Sequence, residues 1–441
     1  MIVCKVRFVK AVAILAVVVL SQRPASSQPA EPDRQTKAAF DRLRQALAEA
    51  QRQENEAEVR RLAAEGQKLL GDLAGVPEVA DEYRPVPPDV PRLTVEEARK
   101  GFEPYLKLMQ QRRWWKIGLD PTKTLHLPRE VASIIVGCVA AHRAHLDGTD
   151  AALAAAKEAG DYLIWTQQQG GRGLFPFPAV RNGQGRPFEV SERFLRRAER
   201  DGKLDQVLRN GWEVDDLGDG GLQFDNGLCG VALFELYEVT KDARYVRAAV
   251  AATDWAVGRP VVPNWNYNSF SVYLLAKAYS VTKEKKYLEA AKKKSRLGIY
   301  PGQLYDGQYQ GRWADPHNAR PAYHYIMIRG LAAMLKVMPP DDPERPDAIR
   351  CLRLALKARN PEFPVKGMST VDSAFEALLM VKSLPKKMVD DLQDCQIEAA
   401  LTVLERHAAS GYRAKRPVLS PAVWGRYLEY VVAQHERSGT P

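Results

Sequence analysis

Apolar residues recur three and four positions apart along most of the chain after residue 93, and few stretches alternate between apolar and polar residues. The first spacing places apolar side chains on one face of an α-helix, whereas a half-buried β-strand requires strict alternation. The pattern predicts helices over residues 95–115, 129–146 and 149–169, a short basic helix near residues 192–208, and further helices up to residue 434. The fold class is therefore predicted to be all-α.

Two helix–turn–helix segments repeat one another 42 residues apart: residues 239–249 (VTKDARYVRAA) match residues 281–291 (VTKEKKYLEAA). Tyr245 and Tyr287 begin the second helix of each copy and are expected to be packing wedges. Because a single hairpin cannot bury its apolar face, such units must stack into a solenoid or close into a ring. Turns within hairpins are short, whereas connections between hairpins are long and polar. This asymmetry favours an (α/α) toroid of about five or six hairpins over residues 93–441, with its long loops on one rim.

The first 27 residues have the features of a secretory signal peptide. Basic residues precede an apolar run over residues 11–20, which is too short to span a bilayer, and small residues at 25–27 offer a cleavage site. We therefore expect a secreted or periplasmic protein with no stable membrane span after cleavage. The alternative is that the apolar run is retained as a membrane anchor.

Residues 28–82 are predicted to form a helical arm. Phe40, Leu43 and Leu47 follow one face of a charged, alanine-rich segment, which indicates a long helix or a helical hairpin. Such an arm would dock on the toroid or mediate self-association, and the alternative is a solvated leader. Residues 83–92 contain YRPVPPDVP and are predicted to be a proline-rich linker between the arm and the toroid.

Charge and cysteine content narrow the classes of partner. The 441-residue chain has a formal charge of +10, which tolerates an acidic ligand, but it contains no recognised nucleic-acid-binding motif. Four cysteines lie within apolar helical patterns without a CxxC pair, so we expect buried free thiols and no zinc site. A single disulfide bond between two of them is the alternative. They are Cys138, Cys229, Cys351 and Cys395.

An acidic, glycine-rich loop precedes the first copy of the repeat. Its carboxylates are Glu213, Asp215, Asp216, Asp219 and Asp225, and the apolar helix pattern starts directly afterwards. Asp225 or Asn226 is predicted to cap that helix. No cofactor is required by the sequence, although Asp215, Asp216 and Asp219 are of the type that binds Ca²⁺, so a calcium site stays open.

The order of the acidic loop, the Asp225-Asn226-Gly227 helix start and the L-Y-E-x-T-x-D-x-x-Y turn over residues 236–245 resembles α/α-toroid carbohydrate-active enzymes. These include six-hairpin glycosidases, uronate-chain lyases and α-helical pectate lyases. The resemblance implies a polysaccharide or oligosaccharide substrate and a site where the long loops converge. The segment after the first hairpin, GGRGLFP over residues 170–176, lacks the G-G-W-P-K sequence of the pectate lyases.

The loops provide side chains suited to sugars, because aromatic rings cover the apolar face of a sugar while amides, carboxylates and guanidinium groups bind its hydroxyl or carboxylate groups. The predicted substrate-binding residues are Asn226, Trp265, Asn266, Tyr267, Arg312 and Trp313. The predicted catalytic residues are Asp219, Asp225, His317, Arg320, Tyr323 and His324. For the loop around Trp265, helix capping with a buried aromatic plug is an equal alternative.

Three functions remain open on the sequence. β-Elimination from a uronate needs a cation or amide that neutralises the carboxylate, a base and an acid. Residues of suitable types are Asn226, Arg312, His317, Arg320, Tyr323 and His324. Hydrolysis needs paired carboxyl groups, which the acidic loop and Asp306 or Asp315 could provide. The third function is glycan binding without catalysis. Cleavage of an acidic polysaccharide by β-elimination is preferred, and the acidic loop is expected to face residues 317–323 across a cleft.

Overall fold

The computed structural model describes residues 34–71, 83–111, 128–144, 149–171, 173–175, 177–178, 186–202, 204, 208–209, 213–214, 220–307, 309–313, 320–416 and 418–438. The helices within these ranges are α1 (Arg34–Arg52), α2 (Glu56–Gly71), α3 (Val95–Gln111), α4 (Pro128–Arg143), α5 (Thr149–Gly170), α6 (Arg186–Arg200), α7 (Leu222–Thr240), α8 (Ala243–Gly258), α9 (Trp265–Thr282), α10 (Lys285–Gly298), α11 (Pro321–Val337), α12 (Arg345–Arg359), α13 (Glu362–Lys366), α14 (Val371–Lys382), α15 (Lys386–Asp391), α16 (Ile397–Arg413) and α17 (Pro421–Ser438). The predicted signal peptide lies outside these residues.

Six of the described helices form a closed inner ring, which confirms the predicted all-α toroid. In ring order they are α4, α7, α9, α11, α14 and α17, and α17 packs back against α4. Each inner helix has an outer partner: α5, α8, α10, α12 and α16 follow their inner helices in the chain, whereas α3 pairs with the last helix, α17. The first and last ring helices are therefore neighbours, and this contact closes the ring.

The inner helices run parallel to one another. Side-chain contacts between neighbours join residues at similar depths: Arg129 with Asp225, Phe224 with Phe270, Ser269 with Ile326, Arg329 with Glu376, Asp372 with Ser420, and Ser133 with Ala422. The N-terminal ends of all six helices consequently lie on one rim, which we call the N-terminal rim. The long connections that precede α7, α9 and α11 end at this rim.

Two glycines allow α4 and α17 to approach closely where the ring closes. A Cβ atom at Gly137 would lie 2.4 Å from the carbonyl oxygen of Pro421, and one at Gly425 would lie 2.5 Å from the carbonyl oxygen of Gly137. Such distances are far below van der Waals contact. The closure therefore depends on the absence of side chains at both positions.

The 42-residue repeat corresponds to the hairpins α7–α8 and α9–α10. Each inner helix ends at a lysine with left-handed backbone, Lys241 (φ 56°) or Lys283 (φ 62°). The predicted tyrosine wedges are buried, and each hydroxyl donates a hydrogen bond to an aspartate of the preceding outer helix: Tyr245 to Asp161 at 3.2 Å and Tyr287 to Asp254 at 3.0 Å.

The N-terminal arm is a helical hairpin, α1–α2, that packs on the outside of the ring. Leu47, Val59 and Leu62 belong to the same apolar core as the ring helices. Gln51 donates a hydrogen bond to the carbonyl of Leu297 at the end of α10, and Gln67 donates to the carbonyl of Pro301. The arm therefore docks on α10 and on the turn that follows it.

The proline-rich segment lies against the ring. The backbones of Arg84 and Met368 form an antiparallel bridge, the Tyr83 hydroxyl donates to Glu362 at 2.6 Å, and Arg92 forms an ion pair with Glu405 at 2.7 Å. The segment thus has specific contacts with the toroid at both of its ends. Its role as a domain boundary stays a prediction.

The excursion between α5 and α7 contains the described strands. They are β1 (Phe177–Pro178), β2 (Leu208–Arg209) and β3 (Glu213–Val214), and they form a small antiparallel sheet in the order β1-β3-β2. The basic helix of this excursion is α6, which begins and ends earlier than the predicted residues 192–208. The strands are too short to produce the alternation by which strands are predicted.

The four cysteines of the described residues are buried free thiols, as preferred from the sequence. Burial raises the pKa of the Cys138 thiol to about 12, so this thiol is held protonated. Within the described ranges, no helix has the length and apolar character needed to cross a bilayer.

Candidate functional site

Asp225 and Arg129 form an ion pair at the N-terminal rim. Arg129 Nε and Nη2 each donate a hydrogen bond to a different oxygen of the Asp225 carboxylate, both at 2.8 Å. Asp225 is 1% exposed. Such a bidentate pair between neighbouring inner helices fixes the position of both groups.

The prediction that Asp225 or Asn226 caps the helix is wrong. Helix α7 begins at Leu222, three residues before Asp225, and Gly221 occupies the cap position without a side-chain hydrogen bond. The apolar pattern starts later than the helix because the first turn carries polar residues that point towards neighbouring elements. Asn226 Nδ2, for example, donates to the carbonyl of Ala252 on the outer helix α8 at 2.9 Å.

Aromatic rings surround the ion pair. The rings of Phe224 and Phe270 meet edge to face with centroids 4.1 Å apart, and the guanidinium group of Arg129 lies 4.1 Å from the centroid of Phe224. Beside them the Ser271 hydroxyl donates to Gln223 at 2.6 Å. This part of the rim therefore combines an apolar ring surface with fixed polar groups, the combination that sugar rings require.

The loop before α9 is largely structural. Trp265 is buried against Gly302, and Asn266 Nδ2 donates to Asn264 Oδ1 at 2.7 Å. The unpredicted Asn268 accepts from the backbone N–H of Val262 and donates to the carbonyls of Val262 and Gly298. These contacts favour the alternative of a buried aromatic plug with local polar anchoring. Tyr267 is half-buried, and substrate-binding roles for these residues stay predictions.

Trp313 and His324 pack together behind the rim. Trp313 is 1% exposed and its indole N–H donates to the carbonyl of Ile299 at 2.8 Å. His324 is fully buried, meets the Trp313 ring edge to face at 5.1 Å, and its Nε2 lies 2.9 Å from the carbonyl of Ala355 on the outer helix α12. Burial, together with the charge of Arg359, lowers the pKa of His324 to about 3, so its imidazole is neutral.

Arg312 belongs to a cluster around Glu362 on the outside of the ring. Glu362 accepts hydrogen bonds from Arg312 at 3.1 Å, Arg359 at 2.9 Å and Tyr83 at 2.6 Å. Burial would raise the pKa of Glu362, but the charge of Arg359 and these hydrogen bonds outweigh it and lower the pKa to about 2. The cluster joins α12, α13 and the proline-rich segment.

Arg320 lies at the N-terminal rim, and its charge has no partner among the described residues. It directly precedes α11, is half-buried, and its Nε is buried without a hydrogen-bond partner. In the part of the chain that the structure describes, its guanidinium group forms no ion pair and no hydrogen bond. The N-terminal end of an α-helix adds positive potential at the same place. Arg320 and the half-buried Tyr323 are therefore suited to contact an anionic ligand at this rim.

Several predicted residues lie outside the described ranges: Asp215, Asp216, Asp219 and His317. Asp225 and Tyr323 both lie on the N-terminal rim, as the ring topology requires, but the predicted cleft between the acidic loop and residues 317–323 stays a prediction. Among the described residues, no group of three or more His, Cys, Asp or Glu side chains could hold a metal ion. The predicted calcium ligands are not among these residues.

A charged network inside the ring was missed by sequence reasoning. Arg426 reaches across the interior to Glu235 at 2.7 Å, to the Tyr273 hydroxyl at 3.0 Å and to Glu376 at 3.4 Å. Arg329 pairs with Glu376. Burial would raise the pKa of Glu235, but Arg426 and the other nearby cations outweigh burial and lower its pKa to about 2. Single charges inside otherwise apolar helices are the sequence signal for such a network.

Comparisons with known proteins found structural similarity at low sequence identity. No protein-family model and no curated protein matches it. Its structure is similar to a solved chain titled a polysaccharide lyase, with a TM-score of 0.44 and 13% identity over 79% of this chain and 99% of that chain. It is also similar to a glycosyl hydrolase family 88 protein from Bacteroides vulgatus, with a TM-score of 0.43 and 13% identity over 78% of this chain and 99% of that chain.

Proposed function

We propose that this protein is a carbohydrate-active enzyme that cleaves an acidic, uronate-containing polysaccharide by β-elimination at the N-terminal rim. The observation that carries this proposal is the unpaired Arg320 at the start of α11. A half-buried guanidinium group without a counter-ion, next to a positive helix terminus, is stabilised by an anion that approaches from outside. The carboxylate of a uronic acid matches the planar fork of arginine.

In this mechanism Arg320 binds the substrate carboxylate and neutralises it, which raises the acidity of the adjacent C–H bond. Tyr323, one turn further along α11, removes that proton as the base. The electron pair of the broken C–H bond forms a C=C double bond, and the bond to the glycosidic oxygen breaks. His317 protonates the leaving oxygen. The products are a chain with a new reducing end and a chain with an unsaturated terminal sugar.

Hydrolysis receives less support from the same residues. It needs a carboxylic acid together with a second carboxylate. Three described carboxylates of the inner helices have basic partners: Asp225 binds Arg129, Glu235 binds Arg426, and Glu376 binds Arg329. Burial would raise the pKa of Glu235, but the cations around it lower that pKa to about 2, so Glu235 is a poor proton donor. Asp372, at the start of α14, accepts a hydrogen bond from the backbone N–H of Ser420 and has no basic partner among the described residues. Burial raises the pKa of Asp372 to about 6, which makes it the described carboxyl group best suited to donate a proton.

Three further parts of the proposal come from the sequence. The mature protein, residues 28–441, is exported to the periplasm or the medium. The reaction proceeds without a cofactor, and a calcium ion at Asp215, Asp216 and Asp219 would be structural. Adding a chelator tests the structural role of the ion. Removing a structural ion should lower the melting temperature as well as the rate.

The proposal is tested by incubating residues 28–441 with polyuronates and with neutral glycans, while following reducing ends and the ultraviolet absorbance of unsaturated products in parallel. We expect both signals to rise together on a polyuronate. Reducing ends without absorbance would assign a hydrolase, and binding without either signal would assign a non-catalytic glycan-binding protein. Either outcome overturns β-elimination.

A further inference from the structure

Arg329 lies inside the ring, below the N-terminal rim. It is 5% exposed and comes from the middle of α11. Its guanidinium group lies 4.6 Å from the ring centroid of Tyr273 and 5.3 Å from that of Phe270, both on α9, and its Nη1 pairs with Glu376 on α14. Because the side chain touches both neighbouring inner helices, it points into the interior of the ring.

Two donors of Arg329 are unused. Its Nε and Nη2 are buried, and neither has a hydrogen-bond partner among the described residues. A buried N–H without an acceptor costs free energy, and the cost is larger for a charged group such as guanidinium than for a neutral one. Nε and one Nη are also the two donors that form the bidentate contact with a carboxylate. The aromatic contacts and Glu376 hold them in place, so the fork is rigid.

The surroundings of Arg329 favour a negative ligand. Arg426 lies on the opposite side of Glu376, and this single carboxylate is shared by the two guanidinium groups. Glu235 is also engaged by Arg426, so it does not compensate Arg329.

We propose that Arg329 forms a second anion subsite inside the ring, which binds the carboxylate of an acidic sugar through Nε and Nη2. Arg320 and Arg329 are nine residues apart on α11, which is roughly 13 Å along the helix axis. One carboxylate cannot reach both, so they bind different acidic groups. The identity of the ligand as an acidic sugar rests on the proposed function, whereas the presence of an anion subsite does not.

Phe270 connects this subsite to the rim. The Phe270 ring contacts the guanidinium group of Arg329 and, edge to face, the ring of Phe224. Phe224 lies beside the ion pair of Arg129 and Asp225. A sugar that stacks on the half-buried Phe224 ring would place its carboxylate towards Arg329. The subsite therefore selects for an acidic residue next to the one that is bound by Arg320.

The test measures binding of glucuronate by calorimetry in the full mature chain with Arg320→Gln, so that the rim arginine does not contribute. We expect glucuronate to bind and glucose not to bind. Adding Arg329→Lys should weaken glucuronate binding at least tenfold, because lysine keeps the charge but lacks the planar fork. Arg359→Lys is the matched control: Arg359 is equally buried and pairs with Glu362 on the outside of the ring, and its substitution should leave binding unchanged.

Equal glucuronate affinity with and without Arg329→Lys would overturn the subsite. If Arg329→Lys does not fold, a crystal structure of the Arg320→Gln protein with glucuronate takes the place of the binding comparison. A carboxylate bound to Arg329 Nε and Nη2 supports the subsite, and a carboxylate bound elsewhere overturns the subsite. The proposed function fails separately, when the wild-type protein cleaves no polyuronate. Glucuronate binding at Arg329 without cleavage would keep the subsite and remove the lyase.

Discussion

At the scale of single residues, polar groups at the rim and in the interior serve two different purposes. Asp225, Glu235 and Glu376 each have a basic partner. The pairs of Asp225 and Glu376 join neighbouring helices of the ring, whereas the pair of Glu235 and Arg426 crosses its interior. Arg320 and two donors of Arg329 have no described partner. Because burying an unsatisfied charge costs free energy, we interpret the paired set as structural and the unpaired set as ligand-binding.

Asp225→Asn tests the structural assignment of the rim ion pair. The variant leaves Arg129 without its charged partner, so we expect the free energy of unfolding to fall by about 1–3 kcal/mol. Thermal denaturation measures this. Asp161→Asn is a matched control, because Asp161 is half-exposed and its pair with Arg244 should contribute little. Lost turnover at an unchanged melting temperature would instead make Asp225 a catalytic residue.

His324→Gln separates packing from catalysis at a predicted catalytic position. The pKa of His324 is lowered to about 3, against 6.5 for the free side chain. Between these pH values the unfolded chain binds a proton that the folded protein does not bind, so the native histidine loses stability as the pH falls. The loss approaches about 1.4 kcal/mol per pH unit.

We therefore expect the wild-type melting temperature to fall more steeply than that of His324→Gln from pH 6 to pH 4. Glutamine retains a donor for the carbonyl of Ala355, so turnover per folded molecule should persist. Parallel pH profiles, or abolished turnover in a stably folded variant, would contradict a packing role.

At the scale of elements, the helical hairpins were predictable from the sequence and the polar interior was not. The 42-residue repeat, the turns at Lys241 and Lys283, and the tyrosine wedges depend on local spacing, and the structure confirms them. The start of α7 was misplaced because its polar first turn hides the helix period. Arg329 and Arg426 were missed because pairing partners on other helices cannot be identified without the ring topology.

Gly137→Ala tests the contact between the first and last inner helices. The added methyl group would meet the backbone of Pro421, so α4 and α17 must separate. Overpacking of this kind costs about 1–3 kcal/mol, which should lower the midpoint of denaturant unfolding. Gly258→Ala is the control, because no atom lies within 4 Å of its new methyl group. We expect Gly258→Ala to be neutral or slightly stabilising, and equal midpoints for the two variants would contradict the close approach.

At the scale of the whole molecule, the ring, the arm and the proline-rich segment are connected by distinct contacts. The arm covers α10. In the proline-rich segment, Tyr83 contacts α13, Arg84 contacts the backbone before α14, and Arg92 contacts α16. A truncation that removes only the arm should therefore begin at residue 83 rather than after the proline-rich segment.

We expect residues 83–441 to remain a folded toroid with a lower melting temperature than residues 28–441. Truncation exposes the apolar surface that Leu47, Val59 and Leu62 cover, but it removes no helix of the ring. Circular dichroism during heating measures both properties. Loss of the cooperative transition would show that the ring cannot fold without the arm, and the predicted boundary at residues 83–92 would then be wrong.

The central claim is that Arg320 binds the carboxylate of the substrate at the N-terminal rim. Its most direct test compares kcat/KM of the wild-type protein, Arg320→Gln and Arg350→Gln on the polyuronate that the wild-type protein cleaves. Arg350 is the control, because it is an exposed arginine of α12 that pairs with Asp347. Removing a charge-assisted hydrogen bond costs about 1.5–3 kcal/mol, so Arg320→Gln should lower kcat/KM at least tenfold without changing the melting temperature, while Arg350→Gln leaves both unchanged. Equal kcat/KM values for Arg320→Gln and the wild-type protein would contradict the account.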